Sequence, residues 1–306
     1  MDKEFSRLFW EREGFPQEAR QALDLCLDRL ERLGKTEALD GIGSFYRGND
    51  FDADLTQPLL EDLALETEIS VYTLWLLLLI DQAKTAFGDY KALGVPEQVV
   101  WDTFQDLTYK LLECKQVYGV WGTFVASWYH IFFTCDIVKL GRLEFESTVY
   151  DEAVPYRFGD FTLEKGDPVK SIHIPSSGEP FTWEARLDSY KRAYRFFQKE
   201  LNGGPLVCVC GSWLLYPPYR EILSPQSNIV SFQGDFDLAC AEEEAIFHDA
   251  WRVFGAAYQA PPQLLPERTS MQRAFKGWLM DGRKTGSGVG VLLFDGEKIL
   301  NQPKFR

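Results

Sequence analysis

Along the first 140 residues the apolar positions recur at helical spacing. In FPQEARQALDLCLDRLERL, Pro16 stands where a first turn begins, Ala22, Cys26, Leu30 and Leu33 follow three or four residues apart, and Gly34 stops the pattern. The stretch from Ser70 to about Phe87 is apolar nearly all round, which predicts a helix enclosed by others. Its densest run, VYTLWLLLLI, is about half the ~20 apolar residues a bilayer span needs, so a buried helix is expected rather than a membrane anchor. Pro96 opens a third pattern through Val99, Thr103, Leu107, Leu111 and Cys114, and FVASWYHIFFTCDIV after Gly119 and Gly122 reads as a fourth helix.

At Gly141 the period changes. Leu143, Phe145 and Val149 alternate with polar neighbours in RLEFESTVY, and YRFGDFTL and VKSIHIP continue the alternation with glycine turns between them, which predicts three strands in a meander. A helix is expected from about Trp183 to Leu201, with Leu187, Tyr190, Tyr194, Phe197 and Leu201 on one face and Lys191, Arg195 and Lys199 on another. There follow a strand LVCVC, a helix-like segment over 213–223, a strand NIVSF, a helix near 241–254 and a linker APPQLLPER. The last helix opens on a capping box, Thr269 with Gln272, and carries Met271, Ala274, Phe275, Trp278 and Leu279 on one face; GSGVGVLLF reads as a closing strand. The expected fold class is therefore α+β, an all-helical domain over 1–140 followed by a mixed α/β domain over 141–306.

The 306 residues, 45% hydrophobic and 15% aromatic, suffice for two packed cores, and the aromatic share fits either dense packing or a roomy apolar pocket. The net charge of −14 argues against nucleic acid and against an anionic membrane surface, because both need clustered Lys and Arg. The charge is uneven: residues 1–140 hold 13 Lys and Arg against 24 Asp and Glu, and the remainder 19 against 22, which also points to a boundary near 140. Six cysteines follow no zinc spacing and no signal peptide is evident, so reduced thiols in a cytoplasm are expected. Cys208 and Cys210 put both sulfurs on one strand face, but no second pair or histidine completes a ligand set, and no metal is expected.

The segments LGRLEFE, IHIPSSG, CGSWLL, SNIVSF and LPERTSMQRAFKGWL together resemble the bacterial acyltransferase-domain proteins that join a helical N-terminal domain to a GNAT-like C-terminal domain. The resemblance spans nearly the whole chain. It implies transfer of an acyl group from a thioester, normally acyl-CoA, to a small-molecule or peptide-like amine. In ordinary GNAT proteins the loop after the third strand is glycine-rich and holds the pyrophosphate on backbone N–H groups at a helix start. Here it reads IPSSGEPF, so Ser176, Ser177 and Gly178 are what remain to meet the donor, with Arg195 on the basic helix face as a phosphate partner or as plain solvated surface. An Arg-x-x-Gly-x-Gly does occur, as RKTGSG, but it follows a helix and enters a strand, so Gly286, Gly288 and Gly290 read mainly as a close-packed strand start.

Direct transfer to an amine needs a proton acceptor, an oxyanion stabiliser and an acid for the leaving thiolate. The candidates are His173, late in the third strand, and Tyr216 or Tyr219, beyond the next strand where GNAT enzymes often carry a tyrosine acid; the competing account is a hydrogen-bonded strand histidine and packed tyrosine rings. Cys210 and Ser212 sit at the same corner without an activating partner in sequence, and Glu144 and Glu146 share a strand face that would suit an amine. The degenerate loop supports a second reading, a GNAT-like binding protein that senses a lipid-like or peptide ligand without turnover.

Overall fold

The computed structural model describes residues 1–302. The chain forms two compact units, Met1–Val138 and Lys139–Arg306.

The first unit is helical: α1 (Lys3–Arg12), α2 (Gln17–Arg32), α3 (Thr36–Gly48), α4 (Ala53–Thr67), α5 (Val71–Ala92), α6 (Glu97–Phe104), α7 (Asp106–Tyr118) and the single turn α8 (His130–Phe133). Helix α5 is the hub, touching α1, α3, α4, α6, α7 and α8, and Leu74 through Ile80 are all buried. That is why its sequence is apolar on every side. Among the described residues no single helix is long and apolar enough to cross a membrane. The face that α2 buries is Ala19, Leu23, Leu27 and Leu30, whereas Leu33 is 46% exposed; the expected stripe through Ala22, Cys26 and Leu33 is rotated from the real one. The third pattern is two helices, broken at Gln105, and the fourth is mostly a 3₁₀ turn over Ala126–Tyr129 plus α8, after which β1 (Ile137–Leu140) begins. Much of the aromatic content is accounted for here by packing: Phe87 meets Phe5, Trp101 and Phe104, and Phe104 in turn meets Phe132 and Phe133.

The second unit contains β2 (Leu143–Val149), β3 (Tyr156–Phe158), β4 (Phe161–Leu163), β5 (Pro168–His173), α9 (Trp183–Phe196), α10 (Gln198–Leu201), β6 (Leu206–Ser212), α11 (Asn228–Gln233), β7 (Asp237–Glu244), α12 (Ala250–Phe254), α13 (Ser270–Met280) and β8 (Thr285–Phe294). The main sheet runs β1-β2-β5-β6-β8-β7, and β3 and β4 form a separate hairpin. The expected meander is thus corrected: β2 pairs directly with β5, and the YRFGDFTL hairpin stands outside the sheet.

Two further expectations change. NIVSF is a helix, because Ser227 caps it by accepting from Val230 N, and a five-residue apolar run does not distinguish the two states on its own. Residues 241–244 belong to the edge strand β7, paired to β8, and only Ala250–Phe254 is helical. Pairing to a long neighbour overrode the helix preference of AEEEA. The capping box of α13 forms as read, with Phe275 and Trp278 buried.

Candidate functional site

Strand β5 is parallel to β6, and the registered pairs are Lys170 with Cys208 and Ser171 with Val209. Beyond them the strands diverge. On one side β5 stays paired to β2 as far as His173, and on the other β6 stays paired to β8 as far as Ser212. The facing edges of Ile172–Ile174 and Cys210–Ser212 therefore open into a cleft of about 760 Å³, within the roughly 300–1,000 Å³ of typical ligand sites. Its remaining walls come from the β5–α9 loop, the turn after β6, the start of α11, and Ser287 to Val289 of β8. Ile172, Ile174, Phe181, Trp213, Ile229 and Met271 give it an apolar lining.

His173 lies on this cleft, and its Nε2 is 2.7 Å from Glu146 Oε2. The contact follows from register: Glu144 stands opposite His173 and Glu146 opposite Ser171, so all four side chains share one sheet face. A carboxylate can only accept, so His173 Nε2–H is the donor of this bond and Glu146 Oε2 the acceptor. The side chains are 25% and 19% exposed, open enough for exchange with a ligand.

Cys210 also borders the cleft, but it is buried and its thiol is pushed up to about 12 by desolvation, far from a thiolate nucleophile. Ser212 Oγ accepts from Leu214 N at 3.2 Å. Two arginines reach the site. Arg252 pairs with Asp249 at 2.7 Å, and Arg142 reaches the carbonyls of the β5–α9 loop.

Of the residues singled out from sequence, His173 and Ser176 line the cleft. Ser177 and Gly178 lie in the same loop without lining it; Ser177 Oγ accepts from Glu179 N, and Gly178 takes a left-handed φ of +73°. Arg195 is exposed on α9, its Nε donating to Lys191 O, and does not border the cleft. Tyr216 and Tyr219 are not brought to it either. They sit in a cluster with Phe275 and Trp278, and Tyr219 Oη accepts from Gly286 N at 3.2 Å. Burial raises both hydroxyls above the usual phenol range. The Tyr216 ring packs close to β8: a Cβ at Gly286 would come to 2.5 Å from it, and nearer still to the Glu242 carbonyl oxygen. Glu146 as a histidine partner and Arg142 as a loop contact were not assigned from sequence, since both depend on strand register.

The GNAT-like C-terminal domain family matches residues 137–292, and the N-acyltransferase N-terminal domain family matches residues 5–135. The chain belongs to the GNAT-like acyltransferase family. The fold is similar to that of solved acyltransferases. An acyltransferase in complex with CoA and 10C-teicoplanin superposes with a TM-score of 0.73 at 20% identity, over 96% of this chain and 88% of that one. An acyltransferase mutant in complex with octanoyl-CoA gives 0.71 at 19%, over 96% and 89%. A third, in complex with decanoyl-CoA and teicoplanin, gives 0.68 at 20%, over 94% and 87%. No curated protein matches the chain. Among the described residues no group of three or more His, Cys, Asp or Glu is arranged to hold a metal ion.

Proposed function

We propose that this GNAT-like protein is an acyl-CoA-dependent N-acyltransferase that acts on a small-molecule or peptide-like amine by direct transfer. The observation that carries the reading is the opening between parallel β5 and β6 with the His173–Glu146 pair on its wall. Solved acyltransferases of the same fold hold CoA, octanoyl-CoA or decanoyl-CoA, and two of them hold teicoplanin or its 10C form as well, which supports a thioester donor and a peptide-like acceptor.

The residues present fit such a donor. Diverging strand edges offer main-chain N–H and C=O groups to the amides of an extended arm, as an added strand would meet them. The apolar walls, Ile172, Ile174, Phe181, Trp213 and Met271, suit an acyl chain longer than acetyl. Bound acyl-CoA would supply the activated carbonyl and a thiolate leaving group. His173 would take the proton of the attacking amine, and Glu146 would steady the imidazolium that results. Cys210 has no part in this, because its proton is held too tightly for a covalent acyl-enzyme.

A thermal-shift titration of the full chain with CoA, acetyl-CoA, octanoyl-CoA and decanoyl-CoA tests the reading. At 100 times its dissociation constant a ligand adds about 2.7 kcal/mol of stability. The expected result is a shift that grows from acetyl to octanoyl. No shift with any donor would reject acyl-CoA dependence and favour a binding role for the cleft.

A further inference from the structure

The β5–α9 loop departs from a glycine-rich phosphate loop, yet it is not slack. Two buried or half-buried arginines grip its main chain. Arg142, in the two-residue turn between β1 and β2, donates through Nη1 to Pro175 O at 2.9 Å and through Nε to Glu179 O at 3.3 Å. Arg186 of α9, fully buried, donates through Nη1 to Phe181 O at 2.9 Å. The Phe181 ring lies 5.2 Å from the guanidinium of Arg142 and 5.3 Å from that of Arg186, and the Phe232 ring is 5.0 Å away. Lys139 adds a third cation, 3.7 Å from the Glu179 carboxylate.

The two arginines differ in what else they do. Arg186 forms a two-point pair with Asp235, at 2.6 and 3.2 Å, and also reaches Ser231; it belongs to the core. Arg142 stands at the rim and borders the cleft itself. Its placement is built in: Gly141 takes a φ of +76°, and the Arg142 N–H donates to Ser189 Oγ at 2.8 Å, tying the turn to α9. A side chain held this way cannot swing freely, and its planar fork meets two carbonyls four residues apart with a fixed spacing that an ammonium lacks.

We infer that Arg142 is a positioning residue for the donor site: it latches the 174–181 loop through the Pro175 and Glu179 carbonyls, and so presets the wall that holds Ser176 and Phe181 against the ligand. The inference rests on the donor reading for its kinetic consequence but not for its structural one.

The test uses the full chain as Arg142→Lys and Arg142→Ala, with hydrogen exchange of the unliganded proteins and steady-state kinetics with octanoyl-CoA. Loss of both latch bonds should speed exchange at the Ser176 to Glu179 amides, and raise the donor KM, by on the order of tenfold each, with kcat within about twofold. Lysine should behave close to alanine, because it lacks the rigid fork that aims one donor at each carbonyl. Unchanged exchange would overturn the latch. So would a lysine variant that keeps wild-type donor KM while alanine loses it, since that pattern means direct charge contact with the donor. If the wild type binds no acyl-CoA, the donor reading fails while the exchange result still decides the latch.

Discussion

His173 shows how little of a site is carried by one side chain and how much by its neighbour across the sheet. Glu146 is separated from it by 27 residues, yet the pair closes to 2.7 Å because β2 and β5 are antiparallel in one register. If His173 takes the amine proton, His173→Ala should lower kcat/KM by about 10²–10⁴. Glu146→Gln, which still accepts a hydrogen bond but no longer stabilises the imidazolium, should fall between that variant and wild type. Both should unfold with the wild-type denaturant slope, since neither is in the packed core. Full activity in His173→Ala would remove it from the reaction. Tyr216 and Tyr219, candidate acids from the sequence, share a hydrophobic cluster with Phe275 and Trp278 away from the cleft lining.

At the scale of elements, the glycine run of β8 is explained by what lies over it. A Cβ at Gly286 would strike the Glu242 carbonyl oxygen and come to 2.5 Å from the Tyr216 ring, one at Gly288 would come to 2.8 Å from Leu215 O, and one at Gly290 to 2.6 Å from Phe236 Cβ. The turn after β6 and the strand β7 therefore press directly on β8, which positions Ser287 to Val289 at the cleft. Gly286→Ala should destabilise by about 1–3 kcal/mol in chemical denaturation, through overpacking against backbone that cannot retreat. An alanine that costs nothing would mean that the Glu242 carbonyl and the Tyr216 ring both give way, and the close packing over Gly286 would not be what requires a glycine there.

Stability against pH belongs to the whole molecule, and here a buried acid works against the usual trend. Asp106 is 1% exposed, accepts from Tyr129 Oη at 3.1 Å and shares Lys110 with Glu113, so two carboxylates face one ammonium. Burial holds its carboxyl above the ordinary 3.8, with Lys110 opposing and Glu113 adding to the rise. A raised folded pKa contributes stability that is present below the ordinary carboxylate range and is lost as pH climbs through the folded value. Asp106→Asn keeps an acceptor for Tyr129 and leaves a balanced Lys110–Glu113 pair. It should therefore raise Tm at pH 8, with the gain shrinking toward pH 4; a loss of Tm at pH 8 that shrinks toward pH 4 would show that the ionised form is the one the fold needs.

The sequence alone determined the class of each half. Helical periodicity before residue 140 and alternation after it reflect side-chain geometry within a few turns or residues, and the capping box of α13 is wholly local. The apolar hub α5 was legible because a helix buried on all sides must be apolar on all sides. What stayed illegible needed a second strand or a distant ring: the hairpin outside the sheet, the helical NIVSF, the edge strand at 241–244, the burial of both tyrosines, and the Glu146 and Arg142 contacts. Those were decided by tertiary structure for one physical reason. Register and packing are long-range, and the free energy that selects them is absent from any window of the chain short enough to read.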